Sequence, residues 1–118
     1  NRPHALLDLI KLTNAIVVLK GQHTLIGSPA QKTLVCPYGN PGMATAGMGD
    51  VLTGCVAALT AQGIQHDLNA WGATILAVYL HALAGDSLAK KGIGPIGMTA
   101  SELSQEIRTV LNKVISQK

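Results

Sequence analysis

Apolar residues recur along the chain in different rhythms, and each rhythm predicts a different element. Over residues 3–13, Ala5, Leu6, Leu7, Leu9, Ile10 and Leu12 are apolar nearly all round, broken by Asp8 and Lys11. That pattern predicts a helix, which Asn14 can stop. Ala15-Ile16-Val17-Val18-Leu19 is then an unbroken apolar run closed by Lys20-Gly21. A run without alternation predicts a strand covered on both faces, as in a parallel sheet under helices. Two short strand candidates, residues 23–26 and 32–36, flank Gly27-Ser28-Pro29-Ala30. That linker is turn chemistry, so the pair predicts a β-hairpin at one edge of the sheet. Residues 36–42 hold two prolines and two glycines and predict a loop.

From Asp50 the spacing becomes helical, with Val51, Leu52, Cys55, Val56, Ala58 and Leu59 on one face and an end near Gln62-Gly63. A second helix over about residues 67–89 is apolar on nearly every face, which predicts burial in the protein or against another subunit. Residues 92–97 read as a loop. Thr99 with Glu102 three residues later fits a capping box opening a final helix. Leu103, Ile107, Val110, Leu111, Val114 and Ile115 supply its expected buried stripe. No internal repeat appears.

Composition narrows the class. A chain of 118 residues is one domain or part of one. At 47% apolar and 13% charged it is too apolar for a disordered tail. No run approaches about 18 consecutive apolar residues, so no membrane span is expected. Asn1-Arg2-Pro3-His4 begins inside a helical pattern without an initiator Met, which leads to the expectation of a fragment. The net charge of +3 comes from nine scattered basic residues with no interleaved aromatics, a poor match to nucleic acid. Cys36 and Cys55 fit neither a zinc pattern nor a disulfide framework, and read as buried thiols in a reducing cytoplasm. His4, His23, His66 and His81 show no ligand spacing.

The segment carrying chemistry is Asn40-Pro41-Gly42-Met43-Ala44-Thr45-Ala46-Gly47-Met48-Gly49-Asp50. Gly42, Gly47 and Gly49 permit positive φ angles and close approach of backbone N–H groups to a ligand. A helix beginning behind them aims its positive dipole end at the same place, which together makes an anion cradle suited to phosphate. It lacks the ending of a Walker A loop and the glycine spacing of a dinucleotide fingerprint. Asp50 has two readings: an N-cap worth about 1 kcal/mol, or an acceptor for a substrate hydroxyl proton during phosphoryl transfer, where positioning outweighs basicity. Lys20-Gly21-Gln22-His23-Thr24 lies just past the apolar strand, where ligands gather in α/β sheets; Lys20 either touches phosphate or is a solvated strand end. His81 and Asp86 read as structural, and Trp71 as core or interface.

Taken together, Val17-Val18-Leu19-Lys20-Gly21 with Thr24, Asn40-Pro41-Gly42-Met43-Ala44, Gly47-Met48-Gly49-Asp50-Val51-Leu52-Thr53-Gly54, His81-Ala82-Leu83-Ala84-Gly85-Asp86 and Ala100-Ser101-Glu102-Leu103 resemble the ADP/ATP-dependent NAD(P)H-hydrate dehydratase family of the ribokinase superfamily. The resemblance covers nearly the whole chain and about the C-terminal two-fifths of a family domain. It implies an α/β class: residues 1–118 as the C-terminal, nucleotide-binding part of a three-layer α/β/α ribokinase-like domain. It further implies dehydration of (S)-hydrated NADH or NADPH through phosphorylation of the hydrate hydroxyl and phosphate elimination, with ADP or ATP and Mg²⁺. By the same resemblance Asp50 activates the hydroxyl and binds the hydrate, and residues 20–24 (Lys20, Gly21, Gln22, His23, Thr24) with Asn40, Gly42, Met43, Ala44, Thr45, Ala46, Gly47, Met48 and Gly49 bind the nucleotide. A cytoplasmic homo-oligomer, a tetramer in the family pattern, and an epimerase domain fused upstream are also implied.

Ala46 stands where the family commonly has Gly, Met48 where Thr is frequent, and Glu102 where Asp is usual. The family's upstream hydrate-binding elements have no counterpart in these residues, so the chain alone is expected to be inactive. Two rival readings remain. One is a vitamin-precursor or sugar kinase of the same superfamily; the other is a non-catalytic assembly module whose Gly-rich loop merely caps a helix.

Overall fold

In the computed structural model, which describes residues 1–116, the first helix, α1 (Arg2–Thr13), carries a proline in its first turn. An N–H is unsatisfied there anyway, so proline is tolerated. The Asn1 side chain accepts from the His4 N–H at 3.0 Å, and Asn14 ends the helix in the left-handed conformation, φ 52°, its N–H donating to the Ile10 carbonyl at 2.7 Å. The strands β1 (Val17–Leu19), β2 (Leu25–Ser28) and β3 (Gln31–Val35) follow, forming an antiparallel sheet in chain order. Val18 stands opposite Ile26, and Leu25 opposite Val35. Leu6 and Ile10 of α1 pack on Leu25, Val17 and Leu19. Gly27 permits that approach, since a Cβ there would lie 2.8 Å from Ile10 Cδ1.

The hairpin expected at residues 23–36 is present as β2 and β3. The expectation for residues 15–19 needs correction. β1 is half-buried, not covered on both faces, and it runs antiparallel to its neighbour. The connection from Lys20 to Thr24 is far too short for the crossover a parallel pair requires. Among the described residues β2 is the only strand paired with β1, whose three residues are half-buried.

These elements form one compact unit, Asn1–Pro37, and the remainder forms another, Tyr38–Lys118. The second unit holds a short 3₁₀ helix (Pro41–Ala44) and three α-helices, α2 (Met48–Gly63), α3 (Ala70–Lys90) and α4 (Ala100–Ser116). Met48, Ala84, Leu88, Met98 and Leu103 make its core, with Met43, Val51 and Ile107 against it. By length and composition α3 would pass for a membrane span, but its Ala77, Val78, Leu80 and Ala84 are buried under neighbouring helices of the unit. Asn69 caps α3, its side chain accepting from the Gly72 N–H at 2.8 Å, so this helix starts later than the apolar pattern implies. The capping box is present: the Thr99 N–H donates to Glu102 Oε1 at 2.9 Å, and the Glu102 N–H to Thr99 Oγ1 at 3.2 Å. The stripe expected on α4 is only partly buried. Leu103 is enclosed, but Val114 and Ile115 are 50% and 56% exposed.

One core contact is ionic. Glu106 is 6% exposed; its Oε2 accepts from Lys91 Nζ at 2.7 Å and from Ser87 Oγ at 2.5 Å. The Lys91 hydrogen bond first, then that of Ser87, holds the Glu106 carboxyl below the usual carboxylate range. A carboxyl depressed by folding contributes stability above its unfolded pKa and loses it as pH falls through the folded value. The stability of the intact protein is therefore expected to drop on acidification below the ordinary glutamate range. Glu106→Gln should flatten that segment of the profile and cost about 1–2 kcal/mol at neutral pH, since Lys91 is half-exposed and screened. Thermal unfolding followed by circular dichroism from pH 3 to 7 measures both effects.

Candidate functional site

The glycine-rich segment is fastened to α3 at both ends. At its start the Asp86 carboxylate accepts from the Gly39 N–H and from Asn40 Nδ2, each at 3.0 Å. Asn40 Oδ1 accepts in turn from the Gly42 N–H at 3.0 Å, which starts the 3₁₀ helix. Gly42 is buried, and a Cβ on it would collide with the Pro95 carbonyl oxygen and lie 2.7 Å from the Met98 methyl. Gly85 on α3 likewise lacks the Cβ that would strike Met43. At the far end the buried His81 ring donates through Nε2 to the Met48 carbonyl oxygen at 2.9 Å. His81 and Asp86 are thus structural, as their sequence context implies.

Between those fastenings the chain turns at Gly47, whose φ of 88° requires glycine. Gly42 and Gly49 do not use positive φ; Gly42 serves close approach instead. Helix α2 starts at Met48 with Gly47 as its cap, and no side chain caps it. This removes the N-cap reading of Asp50, which is the third residue of the helix and exposed. The glycine turn delivers the chain into helical conformation two residues before the carboxylate. The Met48 N–H reaches the Thr45 carbonyl at 3.3 Å and the Val51 N–H the Gly47 carbonyl at 3.1 Å. The N–H groups of Ala46, Gly47, Gly49 and Asp50 have no acceptor among the described residues. The Asp50 carboxylate likewise makes no hydrogen bond or ion pair with them. Unfilled donors at the positive end of a 16-residue helix, with a free carboxylate beside them, suit a phosphoryl group and a hydroxyl together.

The other residues singled out in the sequence fall as follows. Ala44, Thr45 and Ala46 are exposed, with Thr45 Oγ1 donating to the Gly42 carbonyl at 2.8 Å. The Asn40 carboxamide is engaged within the protein, and the side chains of Met43 and Met48 face the core. Lys20, Gly21, Gln22 and His23 are exposed and Thr24 is half-buried; they form the bend between β1 and β2 in the first unit. Thr24 is held there by its carbonyl, which accepts from the Cys36 N–H at 2.9 Å. Trp71 is half-buried. Sequence reasoning overlooked Glu106, whose signal was a charge on the apolar stripe, three residues after Leu103 and four before Val110.

Comparison with known proteins decides the kinship. The sequence profile of the carbohydrate-kinase-like family described as NAD(P)H-hydrate dehydratase matches residues 1–109. The chain belongs to that family. It is 40% identical over 112 residues to a bifunctional NAD(P)H-hydrate repair enzyme of Coxiella burnetii, covering 95% of this chain and 22% of that protein. It is 34% identical over 114 residues to an ADP-dependent (S)-NAD(P)H-hydrate dehydratase of Neisseria meningitidis, covering 97% of this chain and 37% of the relative. Among solved structures, the ADP/ATP-dependent NAD(P)H-hydrate dehydratase of Bacillus subtilis co-crystallized with ATP/Mg²⁺ superposes with a TM-score of 0.86 at 26% identity, covering 96% of this chain and 39% of that one. The mixed α/β fold is therefore that of the dehydratase family. The chain spans between 22% and 39% of the length of these three proteins.

The two glycines of different use give opposite expectations. Gly42→Ala should destabilise the protein by about 1–3 kcal/mol, because backbone at Pro95 must move. Gly54→Ala, in the interior of α2 with nothing within 4 Å of its Cβ, should stabilise by about 0.5–1 kcal/mol. Urea unfolding of both variants measures the difference.

Proposed function

We propose that this protein uses a nucleoside di- or triphosphate to dehydrate (S)-hydrated NADH and NADPH back to the active coenzymes. The observation carrying this reading is the free Asp50 carboxylate beside the four N–H groups that lack acceptors, in a chain of the dehydratase family. In this reading the amides of Ala46, Gly47 and Gly49, with the turn from Asn40 to Thr45 and buried Met48 behind them, hold the phosphate to be transferred. The bend from Lys20 to Thr24 takes another part of the nucleotide. Those amide donors fit a polyphosphate. Mg²⁺ enters with the nucleotide, as the family resemblance implies, and no ligand for it is assigned to these residues.

Asp50 orients the hydrate hydroxyl and accepts its proton as that oxygen bonds to the terminal phosphorus and the bridging P–O bond breaks. The loop amides stabilise the charge on the transferring group. Elimination then breaks the C–O bond, phosphate leaves with the electron pair, and the adjacent carbon gives up a proton to form the coenzyme double bond. Cys36 and Cys55 are not joined in a disulfide, which accords with the reducing cytoplasm proposed here. A homo-oligomer and a fused epimerase domain complete the proposal, the latter supported by the bifunctional name of the Coxiella burnetii relative.

Asp50→Asn in the intact protein should lower kcat by at least about 100-fold, the scale of a lost general base, with ADP affinity little changed. Turnover of hydrated NADH by the variant at the unaltered rate would remove Asp50 from the chemistry. Accumulation of a phosphate ester in place of NADH would make the protein a kinase.

A further inference from the structure

Arg2 lies on α1, and no acidic residue shares its turn of the helix. No carboxylate compensates it, since the ion pair among the described residues joins Lys91 and Glu106. Instead Arg2 Nη2 donates to the carbonyl oxygen of Leu19, the last residue of β1, at 3.2 Å. That bond uses one of five guanidinium N–H donors, and the residue is exposed. Gly21 is fitted to this side chain: a Cβ there would lie 2.5 Å from Nη2 and 2.7 Å from Cζ. The guanidinium thus fills the space where residue 21 would carry a side chain, next to Lys20 in sequence.

Charge is distributed accordingly. Residues 1–37 contain four Lys and Arg and a single acid, Asp8, whereas residues 38–118 contain five basic and five acidic residues. The whole net charge of +3 belongs to the first unit. Exposed Lys20 and His23 lie in the bend that Arg2 supports. An exposed guanidinium without a carboxylate partner among the described residues thus stands beside the bend that carries Lys20 and His23.

We propose that Arg2 contacts a phosphate group of the bound nucleotide, acting with Lys20 at the end of β1; this rests on the nucleotide reading of residues 20–24. A guanidinium presents paired N–H groups that match two phosphate oxygens. The Leu19 carbonyl already holds one of its N–H groups, which restricts the side chain before a ligand binds.

Calorimetric titration of the intact protein with ADP, and with adenosine as the uncharged probe, tests the assignment. Arg2→Gln should weaken ADP about tenfold, the effect of losing one charge-assisted hydrogen bond, and leave adenosine unchanged. Arg2→Lys should keep part of the ADP affinity. Thermal unfolding checks that each variant is folded. Where Arg2→Gln does not fold, Gly21→Ala decides: it displaces the guanidinium without removing it and should give the same selective loss. Equal weakening of ADP and adenosine would reduce Arg2 to a shaper of the bend and overturn the proposal. So would an effect confined to hydrated NADPH or NADH, which would put the guanidinium on the other ligand. If Lys20→Ala also leaves ADP binding intact, the nucleotide reading of the bend itself fails. If Lys20→Ala weakens ADP and Arg2→Gln does not, only the role of Arg2 fails.

Discussion

A carboxylate near the C-terminal end of α3 holds the glycine-rich segment in place. Asp86 takes the Gly39 N–H and the Asn40 carboxamide, and Asn40 passes the restraint to the Gly42 N–H, so one acid fixes four consecutive residues through three hydrogen bonds. Five residues earlier on the same helix, His81 holds the Met48 carbonyl. The segment between is therefore pinned at both ends to one rigid element. The backbone entropy of ordering it is spent on folding and need not be spent again when a ligand arrives. Gly42 and Gly85 matter to the same end, because a methyl group at either would hold the segment away from its supports.

Much of this was legible in the sequence, and the reasons differ by element. The capping box of α4, the Asn14 stop and the hairpin turn are local devices, read from three or four neighbouring residues. The apolar rhythm of α3 was equally plain, while its start was misread because Asn69 caps the helix after Leu68 has already continued the apolar pattern. The β1 run misled for another reason. Unbroken apolar sequence reports how much water a strand avoids in its finished surroundings, and not which strands in a given stretch supply the cover. The site shows the same division. The glycine-rich motif marked the segment, but whether Asp50 capped the helix depended on where Gly47 places the first turn, a backbone angle no composition encodes. Glu106 and Arg2 escaped notice because each draws its meaning from a partner 15 or more residues away, Lys91 and Leu19.

The departures from the family pattern make sense in the same frame. Met48 replaces a frequent threonine, yet its side chain is enclosed in the core with Leu88, Met98 and Leu103, so the exchange adds packing beneath the turn. Ala46 replaces a common glycine at an exposed position without positive φ, where alanine is compatible. Neither change alters the N–H groups that lack acceptors, because these belong to the backbone.

The acids of the second unit sort themselves by what folding demands of them. Asp86 is consumed in fastening the segment, Glu102 in capping α4, and Glu106 in the buried pair with Lys91. Asp50 and Asp67 are left without a partner among the described residues. Asp67 sits in the connection between α2 and α3, in the left-handed conformation that aspartate tolerates better than most residues. Asp50 alone stands in the first turn of a long helix, where the dipole favours a negative charge by about 0.3–1 kcal/mol. An exposed carboxylate within the same turn as backbone donors that lack acceptors among the described residues is the arrangement on which the proposed hydroxyl activation rests. Hydrogen bonding within the unit has used Asp86, Glu102 and Glu106, and of the two acids it leaves, only Asp50 stands at the start of a helix.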